Sequence, residues 1–446
     1  MTAAPMRPFF ALALFASCAA PPAPGPETFP PERQEPFFER GLITPQSSLL
    51  CTPTGTGVPQ TDCNHHGSSI VELPDGTIAV SWFHGEFEKS LDSRIVWSRL
   101  APGATEWTAP EVLFDDPQRS EGNSAWWVRE DGVVFVFFVS IEGNGWAQAR
   151  MRFIRSDDGG KTFGAPVTMY DGDCWMLRNK PVRLTGGDVL LPAYYECLGV
   201  PVFLRSSDDF DTWSLEQRWG EGSWLLDHVS QIQPALAVGG DGKVIALTRD
   251  GSQHRRVGRM TADPLARSWS VTQPTLLPNA GTGVDQVRLL DGHTVVVFNN
   301  SPDARFPLAA ALSLDDTESF SAARHLDDVC DPLGCSYSYP SVVQSTKDGT
   351  IWVSYTYDRR TIGWAHFNEA WLKQGGQTVQ VRCLGADLCR EATCAPPCGA
   401  GGACGADQTC LDGACRTRCS QASDCPANHA CAGGVCATDG LWSCGP

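Results

Sequence analysis

The chain has 446 residues, and its 34 basic against 51 acidic side chains give a formal charge of −17 at neutral pH. A surface this acidic repels a polyanion, which excludes nucleic acid as a partner and requires any site for an anionic ligand to be a local basic pocket. With 42% hydrophobic and 19% charged residues the chain is globular rather than disordered.

Residues 1–18 carry one arginine, a short apolar run and small residues before Cys18, which predicts an export signal. The run is too short to span a bilayer as a mature helix, and no other segment is long and apolar enough. The ending Leu14-Phe15-Ala16-Ser17-Cys18 resembles the lipobox of bacterial lipoproteins. That resemblance implies lipidation of Cys18 and a cell-envelope lipoprotein, at the outer membrane, held to the membrane only by an N-terminal lipid; plain cleavage would give a secreted protein. Residues 19–40 are rich in proline and favour an extended spacer.

Over residues 41–382, six glycine-centred turns each lead into a short run of β-branched and aromatic residues. They are Asp75-Gly76, Asp131-Gly132, Gly186-Gly187, Asp241-Gly242, Asp291-Gly292 and Asp348-Gly349, spaced 50 to 57 residues apart. One such unit cannot bury its own apolar faces, so the period predicts radial repetition and a six-bladed all-β propeller of four-stranded blades. A second repeat follows each of the first five turns. It is clearest at Ser156 to Phe163 and Ser206 to Trp213, worn at Thr261 to Trp269 and Ser313 to Phe320, and in phase at Ser98 to Trp107. Its serine or threonine and aspartate are expected to bond turn amides, and its last aromatic to pack between blades. Trp126, Trp127 and Trp175 stand near strand entrances, where a ring can stack on a sugar.

Twelve of the 19 cysteines fall in residues 383–446, where Cys398, Cys404, Cys410 and Cys415 recur 21 residues later as Cys419, Cys425, Cys431 and Cys436. With so few apolar residues available, this predicts a small disulfide-held module of two tandem units. Cys-x-x-Cys pairs are absent, which argues against zinc. The remaining cysteines suggest local bridges between Cys51 and Cys63, Cys174 and Cys197, and Cys330 and Cys335, with free buried thiols as the alternative.

The serine–aspartate turns are Asp boxes, and six phased units resemble the sialidase superfamily, in particular bacterial BNR-repeat proteins, over roughly residues 60–370. In Ser338-Tyr339-Pro340-Ser341 the resemblance puts the tyrosine nucleophile at Tyr339. It puts carboxylate-binding arginines at Arg249 and Arg305, and the acid/base at Asp92. Arginine suits that role because its planar fork binds a carboxylate bidentately. Tyrosine suits attack beside a substrate carboxylate that would repel a carboxylate nucleophile.

Two positions depart from the family. His66 stands where its first arginine belongs, and Gln233 where a glutamate should take the tyrosine's proton. A neutral amide can hold the ring but cannot accept that proton. Glu196 can replace the missing carboxylate, and Asn179, Glu88 and Arg359 fall at the same phase as further substrate-binding candidates. The leading expectation is an exo-α-sialidase-like glycoside hydrolase whose partner is an acidic glycan or glycoconjugate. One alternative is a uronate polysaccharide lyase using His66 and Tyr339, and another is a non-catalytic glycan-binding propeller. No motif calls for a metal or an organic cofactor.

Overall fold

The computed structural model describes residues 35–43, 51, and 63–377 apart from 144, 171, 216–229, 252–254 and 331–333. In the tail it describes 379–381, 388–390, 393–395, 398, 404–411, 414–425, 429–438 and 442–444. The export signal, Cys18 and the spacer as far as residue 34 lie outside the described residues.

Six antiparallel sheets form six blades. Their innermost strands are Asn64–Glu72, Ser120–Val128, Trp175–Leu177 continued by Val182–Arg183, Gln231–Val238, Asp285–Arg288 and Tyr337–Gln344. The third blade counts five strands rather than the expected four, because Arg178 to Pro181 interrupt its inner strand. The outer strand of the sixth blade is Phe38–Leu42, which pairs antiparallel with Thr361–Phe367. Residues 38–40 therefore belong to the sheet rather than to the spacer assigned from composition, because the last blade has an open edge and the start of the chain supplies its partner.

All six turn glycines take positive φ, between 72° and 94°, which a side chain rarely tolerates. Five of these turns carry aspartate, and each caps the amide two residues on, as Asp75 does for Thr77 at 2.9 Å and Asp348 for Thr350 at 3.0 Å. The boxes close in the same self-contained way. Ser156 Oγ accepts from the Gly160 amide at 2.8 Å, while Asp158 accepts from the Thr162 amide at 2.9 Å and from its hydroxyl at 2.6 Å. Ser206 and Asp208, and Ser313 and Asp315, repeat the pattern. The closing aromatics lie in the seams between blades: Phe163 is 5.9 Å from Trp97, Trp213 meets Phe153 edge-on at 5.8 Å, and Trp269 stacks on Phe203 at 4.2 Å. Trp126 is likewise a core residue rather than a sugar platform, being buried with its indole N–H given to Ser81.

The three proposed local bridges are all present. In the tail Cys398–Cys410 and Cys404–Cys415 are matched by Cys419–Cys431 and Cys425–Cys436, so both units share one connectivity. Each unit centres on a short hairpin, Gln408–Leu411 with Ala414–Thr417 and His429–Ala432 with Val435–Thr438.

Candidate active site

The inner strands are not regular. Four of them carry a bulge at the same phase, marked by register shifts between His66 and Ser69, Gly122 and Ala125, Ile232 and Ala235, and Ser338 and Ser341. Each bulge holds a residue in the left-handed region: Gly67 at φ 68°, Asn123 at 36°, Gln233 at 55° and Tyr339 at 52°. A bulge re-aims a side chain that the pleat would otherwise alternate, and holding non-glycine residues there requires support from their surroundings.

Tyr339 is the focus. Its phenol oxygen accepts from Gln233 Nε2 at 3.2 Å and from Arg249 Nη1 at 3.0 Å. The His66 ring lies edge-on to it at 4.3 Å, and the Arg305 guanidinium is 5.9 Å from its ring centroid. Sequence reasoning missed Arg178, which stands where the third blade's inner strand breaks. This buried arginine donates to the Tyr339 and Pro340 carbonyls at 2.6 and 3.0 Å, and its cation lies 5.1 Å from the tyrosine ring. It thus holds the left-handed backbone of Tyr339 in place. The available signal was position, since Arg178 adjoins the segment that matches the bulges of other blades.

The other predicted residues divide. Arg359 reaches the site and pairs with Glu88, whose second oxygen accepts from Trp146 Nε1 at 3.0 Å, so Glu88 positions an arginine rather than facing substrate alone. Asn179, expected to bind substrate, gives its amide to the Gln233 and Pro234 carbonyls at 3.0 and 3.1 Å and so braces the neighbouring bulge. Glu196 lies within electrostatic reach of Arg249, and burial raises its pKa while Arg249 opposes the rise. Asp92 accepts from the Glu86 amide at 3.0 Å and the Ser90 hydroxyl at 2.6 Å, which ties it to its own loop.

The charge balance here is the reverse of the whole protein's. Burial first, then Arg359, Arg305, Arg178 and Arg249, holds the His66 pKa well below the usual histidine range, so the ring is neutral. Its Nδ1 is 3.0 Å from Thr356 Oγ1 and its Nε2 has no partner. Arg178 Nε and Nη1, Asn179 Oδ1, Gln233 Oε1 and Arg249 Nε are likewise buried without partners. Such groups are rare in a finished core, and a cluster of them beside cations points to a polar, anionic occupant. Next door, at the start of the second blade's inner strand, burial pushes the Glu121 carboxyl up to about 9.

The family described as BNR repeat-like domain matches residues 76–353. Among solved structures the chain is similar to the Hadza microbial sialidase Hz136, at 16% identity and TM-score 0.56, over 68% of this chain and 65% of that one. It is similar to a protein of unknown function from Dyadobacter fermentans, at 15% identity and TM-score 0.56, over 74% of this chain and 99% of that one. It also resembles the intramolecular trans-sialidase from Ruminococcus gnavus, at 14% identity and TM-score 0.54, over 69% of this chain and 95% of that one. The chain thus spans under two thirds of Hz136 and nearly all of the latter two. These likenesses show the fold. No curated protein matches the chain at a significant level.

Proposed function

The chain belongs to the BNR repeat-like family, with a sialidase-like propeller, and from that premise we propose that it is an exo-α-sialidase-type glycoside hydrolase acting on an acidic glycan. The observation that carries this reading is the phenol oxygen of Tyr339, held between Gln233 and Arg249 inside a cluster of arginines. Arg249 and Arg305 bind the sugar's carboxylate with their planar forks. The Tyr339 oxygen attacks the anomeric carbon and the glycosidic bond breaks. Asp92 supplies the proton that the leaving oxygen needs, and Glu196 takes the proton that the phenol gives up, its proton affinity raised by burial. Water then attacks the anomeric carbon and gives its proton back to Asp92, while the bond to the tyrosine oxygen breaks and that oxygen recovers its proton from Glu196.

Purified protein assayed on an aryl sialoside tests this. Turnover that is lost in Tyr339→Phe and raised in Gln233→Glu, which restores a carboxylate beside the phenol, is the expected result. A second reading has one specific observation behind it: a neutral His66 with an unpartnered Nε2, 4.3 Å from the Tyr339 ring, suits a base removing a carbon-bound proton from a uronate. No turnover of the sialoside by the parent or by Gln233→Glu, with formation of an unsaturated uronate that depends on His66, selects the lyase. Export and anchoring through a lipid on Cys18 complete the proposal, and mass spectrometry of the mature N-terminus checks them.

A further inference from the structure

Cys174 is fixed by every group it has. Its amide donates to the Ala147 carbonyl at 2.8 Å, its carbonyl accepts from the Glu196 amide at 2.9 Å, and its sulfur is bridged to Cys197. Its φ is 73°, in the left-handed region that a non-glycine residue keeps only where its surroundings over-determine it. The ties that hold it there run to both sides of the site around Tyr339.

On one side, Cys197 follows Glu196 in the tight turn between the strands Val189–Tyr195 and Val200–Ser206, so the bridge pins the turn that carries Glu196. Glu196 lies within electrostatic reach of Arg249, which donates to the Tyr339 oxygen at 3.0 Å. On the other side, Ala147 is the middle residue of the short helical turn Trp146–Gln148. The Trp146 ring lies against Gly122, where a Cβ would come within 2.7 Å of it, and its indole N–H holds Glu88, which holds Arg359. Cys174 is thus tied to the supports of two side chains that reach the site from different blades.

We propose that the Cys174–Cys197 bridge is a positioning device for the site: it sets Glu196 and, through the Trp146 turn, the Glu88–Arg359 pair, so that the protein is fully active only while this bridge is oxidised. Cys197 is exposed and Cys174 is buried, so a reductant reaches the bridge from the Cys197 side. A dithiol opens it by giving one hydrogen to each sulfur and closing into its own cyclic disulfide, so the two electrons come from the dithiol. The inference rests on the hydrolase reading for the proton that Glu196 takes, and its crystallographic test does not.

In the full chain, Cys174→Ser with Cys197→Ser is compared with Cys419→Ser with Cys431→Ser, which removes a bridge from the tail. The first pair should lower kcat on an aryl sialoside roughly 10- to 100-fold, the cost of a misplaced catalytic group, and the second should leave it within about twofold. In the first pair the acidic limb of the pH profile should also move to lower pH. Burial, opposed by Arg249, raises the pKa of Glu196, which also faces Tyr194, and a released turn gives that burial up. A lower melting temperature with kcat and the limb unchanged overturns the proposal. Should the serine pair not fold, the folded parent is titrated with dithiothreitol. Loss of activity in step with alkylation of Cys197 supports the proposal; loss that follows another cysteine pair, or none once Cys197 is alkylated, overturns it. If the parent turns over no sialoside, the hydrolase reading fails, and crystal structures of the oxidised and the dithiothreitol-reduced protein decide. A displaced Glu196 and a broken Glu88–Arg359 pair support the positioning role, and unmoved side chains reject it.

Discussion

The two ends of the blades are built from the same repeat and behave in opposite ways. At the turn end, aspartates cap amides two residues on, and box serines and aspartates spend their oxygens within five residues of chain. At the bulge end, buried polar atoms of His66, Arg178, Asn179, Gln233 and Arg249 without partners gather around Tyr339, whereas the unpartnered Trp107 Nε1, Trp269 Nε1 and Thr294 Oγ1 at the turn end are scattered over three blades. A group that closes its own hydrogen bonds needs nothing further and can only stabilise. A buried group left open lowers stability unless something else completes it, so the cluster around Tyr339 singles out the bulge end for the proposed site.

Substitutions at the two ends should therefore fail differently. The largest effect is expected from Tyr339→Phe, which removes one oxygen at the bulge end: activity on a sialoside should fall by about 10³-fold or more, with the melting temperature close to the parent's. Retained activity in that variant would erase the functional half of the contrast. Arg305→Lys keeps the charge but loses the fork, and should cost about 2–4 kcal/mol in kcat/KM, with the melting temperature again unmoved. Ser156→Ala, at the turn end, should show the converse: about 1–3 kcal/mol less stability in denaturant melts and unchanged kinetics. A kinetic defect there would show that the box communicates with the site.

Glu121 gives the most pH-dependent effect. The fold keeps a proton on this carboxyl up to about 9, whereas the unfolded chain releases it in the ordinary carboxylate range. Its contribution to stability is thus full at low pH and is lost progressively as pH rises through that window. Glu121→Gln should melt like the parent near ~pH 5 and several degrees higher near ~pH 8. A gain that is the same at both pH values would place the titration elsewhere.

The fold was legible because its signals are local and repeated. Each Asp-Gly turn and each box announces itself within a few residues, and the aromatic that closes a box lands in a seam whichever blade it comes from. The site was legible in part. His66, Gln233 and Tyr339 come together because they share a phase in the repeat, eight or nine residues before a turn aspartate, while Arg249 and Arg305 follow their turns and were legible only through the family resemblance. What a residue touches across blades is not written in its phase. Arg178 went unnoticed because its partners, the carbonyls of Tyr339 and Pro340, are 161 and 162 residues away. Asn179 and Glu88 also make contacts across blades that their phase does not reveal, one bracing a bulge and the other pairing with Arg359. The strand at Phe38–Leu42 looked like spacer because its pairing partner is at the far end of the propeller.

That last pairing sets the order in which the molecule can be finished during synthesis. Leu42 lies opposite Gly363 and Phe38 opposite Phe367, so an early-made strand must wait, unpaired, until almost the whole propeller has been threaded out. Five blades can assemble from chain already present, but the ring closes only when its two ends meet, and such distant contacts are the slow ones. Arg40 on Asp327, and Asn368 on the backbone of Glu35 and Phe37, then lock the join. Shortening the chain past residue 38 would leave the last blade with a bare strand edge, turning a closed ring into one that can recruit a neighbour.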